Sequence, residues 1–166
     1  YTDLSFTLAQ GSIGSVSEYK PKNYNRQPKR LIQLNTNKYP KVNALKKSKA
    51  FSFIYKEKKY NFSATINQSL ILYLRDLPVV ELSNLYVNYG FSQSLQHTLI
   101  NGLKKTTAQM DGREAMGFLL KFVQSIPYKT DDEQWGFERY SFAEETLFNT
   151  YADCEDKVIL YATLVK

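Results

Sequence analysis

Along this chain, apolar and polar positions alternate with a period of two before about residue 90, and recur every three to four residues after it. Leu4-Ser5-Phe6-Thr7-Leu8 alternates like a half-buried strand, and Gly11 and Gly14 then mark turns. The stretch from Lys20 to Arg30 has no period and two prolines, which predicts a basic loop. A short strand is expected over Leu31–Leu34, ended by Tyr39-Pro40. Phe51, Phe53 and Tyr55 alternate with polar residues, as do Tyr60, Phe62, Ala64 and Ile66, so a hairpin is predicted with Lys56-Glu57-Lys58-Lys59 at its turn. Leu70–Leu77 is apolar on too many faces to separate strand from helix, and Leu85, Val87 and Tyr89 predict one more strand before Gly90.

Phe91, Leu95, Leu99 and Leu103 then step by four, which predicts a helix over 92–106 with Ser92 or Ser94 as its N-cap. His97, the one histidine, falls about 200° around that helix from Leu95 and is expected in solvent. Asp111 and Glu114 form a capping-box pattern ahead of an amphipathic helix that closes at Pro127. Ser141 with Glu144 repeats the pattern, and Asp153 with Asp156 repeats it again at the start of a last helix carrying Val158, Ile159, Ala162 and Val165. The pattern predicts an α+β chain: a β-rich N-terminal lobe over 1–90 and a helical lobe over 91–166.

Composition narrows the class. At 166 residues, 43% apolar and 23% charged, the chain has enough apolar surface for a core and is not of disordered type. No stretch reaches the roughly 18 consecutive apolar residues of a membrane helix, and Tyr1-Thr2-Asp3-Leu4 lacks the basic start of a signal peptide. A first residue other than Met predicts a trimmed or processed N-terminus. One cysteine excludes an internal disulfide.

The net charge of +6 is uneven: residues 1–60 carry 13 Lys and Arg against 3 Asp and Glu, and the remainder is net acidic. A basic front of this kind attracts anionic partners, although scattered lysines are also what an ordinary solvated face carries.

The chemistry concentrates in Asp153-Cys154-Glu155-Asp156. With Asp153 as N-cap, Cys154 takes the first helical position, where unsatisfied backbone N–H groups and the helix dipole favour a thiolate and an oxyanion. The three carboxylates oppose thiolate formation, so a positive partner is required, either an imidazolium or a hard cation held by oxygen ligands. The bland reading is a small buried hydrophobe. Tyr128 and Trp135 read first as packing, and Asp131-Asp132-Glu133 as either a metal corner or a solvated loop.

Phe122 to Gly136, with Pro127-Tyr128, Asp131 and Trp135-Gly136, then Phe142 to Leu147, then Asp153-Cys154-Glu155-Asp156 and a hydrophobic helix together resemble the transglutaminase-like superfamily. The pattern is most similar to that of the bacterial transglutaminase-like cysteine proteinases, and it spans 122–166. The resemblance implies the helical half of a papain-like domain, in which Cys154 is the nucleophile and Gln124 or Trp135 lies on the oxyanion side. It also implies calcium at Asp153 and Glu155, a protein or peptide substrate, and a bacterial envelope or exported setting. The family's His and Asp follow the nucleophile helix, so the chain as given, ending at Lys166, is expected to be inactive. The alternative is a non-catalytic binding module whose basic lobe engages an anionic partner.

Overall fold

The computed structural model describes residues 5–6, 31–32, 45–77 and 83–166. It divides the chain into two compact units, Tyr1–Tyr39 and Pro40–Lys166. In the first unit, β1 (Ser5–Phe6) pairs in parallel with β2 (Leu31–Ile32), inside the two stretches predicted as strands. The expected turns at Gly11 and Gly14, the basic loop and the Tyr39-Pro40 break lie outside the described residues.

The second unit mixes α and β. Its sheet is the predicted hairpin: β3 (Lys46–Tyr55) runs antiparallel to β4 (Lys58–Asn67), with Phe51 opposite Phe62 and Phe53 opposite Tyr60. The two-residue turn puts Lys56 at φ +45° and Glu57 at φ +64°, a left-handed pair that twists with the strands although neither residue is the usual Asn or Gly. Asn67 ends β4 and caps α1 (Gln68–Arg75), its side chain accepting from the N–H groups of Ser69 and Leu70. The undecided Leu70 segment is therefore helix.

The strand expected at Leu85–Tyr89 is not formed; this stretch belongs to α2 (Ser83–Tyr89). The buried residue there is Tyr86, which the alternation skipped, and its ring lies 4.7 Å from that of Phe142. Packing of one ring against a later helix decided a segment whose local pattern pointed the other way.

The helix predicted over 92–106 appears as α3 (Gln93–Leu95), a π-helical turn (Gln96–Ile100) and α4 (Asn101–Thr107), capped by Ser92, with His97 exposed. α5 (Gly112–Gln124) starts at Asp111, whose carboxylate accepts from the Glu114 N–H at 2.7 Å. Then follow α6 (Asp131–Trp135), α7 (Ala143–Phe148) and α8 (Cys154–Val165).

One core joins the hairpin to these helices. Phe118 of α5 is fully buried, with the rings of Phe53, Tyr55 and Tyr60 at 5.1, 5.4 and 4.8 Å. Phe122, one turn on, meets Phe51 at 5.5 Å. A smaller cluster of Leu70, Leu74, Tyr86, Phe142 and Ile159 joins α1 and α2 to α7 and α8. The division expected near Gly90 thus differs from that of the structure, because strands before Gly90 and helices after it bury each other's apolar faces.

Candidate active site around Cys154

Two chain segments pin the thiol in place. After α5, the chain turns at Pro127 and runs beside the residues that precede α8: the N–H of Ala152 donates to the Pro127 carbonyl at 3.0 Å, and that of Lys129 to the Ala152 carbonyl at 3.4 Å. This parallel bridge sets Tyr128 next to the start of α8. Asp153 is the N-cap as predicted, its carboxylate accepting from the Asp156 N–H at 2.9 Å, and Cys154 follows as the first helical residue with its side chain exposed. Buried-hydrophobe status is excluded for this cysteine. Interaction with the Cys154 side chain, then burial, raises the Tyr128 hydroxyl above its ordinary range.

The capping pattern at Ser141 and Glu144 is displaced by one residue. Phe142 is the N-cap of α7, and Glu145 reaches back to accept from its N–H. The Ser141 N–H goes instead to the buried Asp156 carboxylate, at 2.7 Å. Glu144 turns the other way and takes both the N–H and the hydroxyl of Ser92 at 2.7 Å, tying α7 to the start of α3.

Carboxylates converge on Asp153, the residue before Cys154. Thr130 caps α6, and Gly136, at φ +79°, closes it in the left-handed conformation that a side chain disfavours. That reversal returns Glu138 and Arg139 to Asp131, whose carboxylate accepts from the Arg139 N–H at 2.8 Å. Carboxylate oxygens of Asp131, Glu138 and Asp153 lie within 4.8 Å of one another. Glu155 is exposed beside them, and its charge helps to raise both Asp131 and Asp153. Burial is the main cause in each case: it lifts Asp153 to about 6 and Asp156 to about 7, and it raises Asp131. An all-oxygen set of this kind matches a hard cation such as calcium, which would answer the same repulsion. Of the two ligands the sequence pointed to, Asp153 belongs to the set that converges most closely, while Asp131 and Glu138 complete it in place of Glu155.

The two residues expected on the oxyanion side occupy different surroundings. Gln124 is exposed in the last turn of α5. Trp135 carries the guanidinium groups of Arg75 and Arg139 over its ring, at 5.1 and 5.2 Å. Those two arginines share Glu145 Oε1, at 3.2 and 2.8 Å, so Trp135 belongs to a buried polar network that links α1, α6 and α7. His97 is exposed on the π-helical turn, which is not among the segments that build the thiol site.

Sequence reasoning missed Glu138, Arg139 and Glu145. The turn signal in Trp135-Gly136 could have shown that the residues after it fold back on Asp131. No family model, no curated protein and no solved structure matches this chain.

Proposed function

We propose that residues 91–166 supply the nucleophile-bearing, helical part of a transglutaminase-like cysteine proteinase. One observation carries this reading: Cys154 is an exposed thiol on the first turn of a 12-residue helix whose cap is in place. The thiolate sulfur adds to a peptide carbonyl, forming the C–S bond and a tetrahedral oxyanion, and the C–N bond breaks as that oxyanion collapses to the thioester. The amine leaves with a proton, and water or a second amine then releases the acyl group. Backbone N–H groups at the α8 start are suited to the oxyanion. Trp135 would act through Arg139 and the Asp131 wall, as a positioning residue. Calcium held by Asp131, Glu138 and Asp153, with Glu155 at the margin, would offset the carboxylates that oppose thiolate formation.

Peptide cleavage also needs a base for the thiol proton and an acid for the leaving amine. An activated ester such as p-nitrophenyl acetate expels its leaving group without acid help and so isolates the role of the thiol. The folded protein is expected to gain an acetyl group on Cys154, located by peptide mapping, and C154S is expected to gain none at that position. No adduct on folded protein that retains helical circular dichroism would overturn the reading.

A second reading, a non-catalytic module that engages an anionic partner, is favoured by the exposed ammonium groups of Lys58 and Lys59 at the hairpin end. Heparin retention that disappears with salt and is reduced in the Lys58→Glu, Lys59→Glu variant would support it.

A further inference from the structure

Four cations gather where β3, α1 and α7 meet. Lys49 is half-buried and donates its ammonium to the carbonyls of Leu147 and Asn149, at the C-terminal end of α7. Lys47, two residues earlier on the same side of β3, lies 4.8 Å from the centre of the Phe148 ring, over which Arg75 also sits, at 5.6 Å. Arg75 donates to Asn149 Oδ1 at 2.6 Å, and Arg139 joins through the shared Glu145. Among the described residues, both ion pairs in this group go to that one carboxylate.

The imbalance shows in two further ways. The Lys49 ammonium meets two carbonyls rather than a carboxylate, and burial, followed by the repulsion of Lys47, lowers it to about 8. Two N–H donors are also left over. Asn149 is 5% exposed, its oxygen is committed to Arg75, and its Nδ2 is buried without a hydrogen-bond acceptor among the described residues. Trp135 Nε1, on the ring under the same guanidinium, is buried and likewise unpaired. A buried donor without an acceptor is costly, and native structures retain few of them.

We propose that this donor-rich cluster, centred on Arg75 and Asn149, is a binding site for a small oxyanion, a carboxylate or a phosphate. Such a group accepts from Asn149 Nδ2 and from the Arg75 guanidinium, and its charge answers Lys47 and Lys49. Access is through Arg75, whose side chain is 26% exposed. The proposal is independent of the chemistry of Cys154.

Trp135 is the only tryptophan in the chain, so its emission reports on the cluster directly. Titration of the whole chain with sodium phosphate and, separately, with sodium acetate, against sodium chloride at matched ionic strength, is expected to give a saturable change in that emission. Saturation with phosphate alone, with acetate alone or with both identifies the source of the oxyanion and supports the site. No saturable change with either overturns the proposal. Lys47→Gln removes an exposed charge without opening the core, and it should weaken binding several-fold. Asn149→Ser, if it folds, should weaken it on the order of tenfold. Undiminished affinity in Lys47→Gln would place the anion elsewhere and likewise overturn the proposal.

Discussion

The main-chain N–H of Ser141 donates to the carboxylate of Asp156 at 2.7 Å, which joins the residue ahead of α7 to the first turn of α8. Through this bond, the helix carrying Cys154 is fixed to the helix that supplies Glu144 and Glu145 to the interior. The bond is made by a carboxyl group that burial has lifted to about 7, and pH follows from that.

In the unfolded chain Asp156 loses its proton near its ordinary value of about 4, whereas in the folded chain it keeps the proton to about 7. Between those limits the folded state binds more protons, so the contribution of Asp156 is most favourable below pH 4 and declines as pH rises through 7. Asp156→Asn can still accept from Ser141 but does not titrate. Chemical denaturation at pH 5 and pH 8 should show the variant gaining on the wild type by about 2 kcal/mol over that interval. A constant difference across pH would show that Asp156 is ionised throughout.

Glu145 is completely buried, and it is the shared partner of Arg75 and Arg139. Desolvation raises the pKa of its carboxyl group against the pull of both arginines. Glu145→Ala removes the one carboxylate that both guanidinium groups share and should cost about 3–5 kcal/mol in urea denaturation. A cost below about 1 kcal/mol, the range of exposed ion pairs, would mean that water replaces the carboxylate easily.

Calcium should raise the melting temperature by a few degrees at concentrations well above its dissociation constant. Glu138 is the exposed member of the Asp131, Glu138 and Asp153 set, so Glu138→Gln should fold normally and lose most of that rise. An equal rise in the variant, or no rise in the wild type, would remove calcium from the site.

Local signals in the sequence were read correctly where neighbouring residues decide the outcome. The hairpin follows from Phe51, Phe53, Tyr60 and Phe62, the α5 cap from Asp111, and the capped start of α8 from Asp153. Readings failed where distant groups decide. Tyr86 becomes the buried face of a helix because Phe142 and Tyr140 lie against it, at 4.7 and 5.6 Å, and nothing within Leu85–Tyr89 encodes those neighbours. The cap of α7 moved from Ser141 to Phe142 because Asp156, 15 residues on, claims the Ser141 N–H. Asp131 and Glu138 meet Asp153 through a backbone reversal at Gly136 together with a bridge at Ala152, two separate events whose combination a linear pattern does not display. Trp135 shows the same limit: its aromatic character was visible, while its two arginine partners lie on other parts of the chain.

The rate at which Cys154 is alkylated by iodoacetamide at neutral pH, compared between the folded chain and the same chain unfolded in urea, tests most directly whether α8 presents a nucleophile. An exposed thiol at a capped helix start predicts that the folded rate equals or exceeds the unfolded one, and that calcium increases it further as the surrounding carboxylates are neutralised. A folded rate at least about tenfold below the unfolded one, unchanged by calcium, would contradict that prediction and show that the fold shields Cys154.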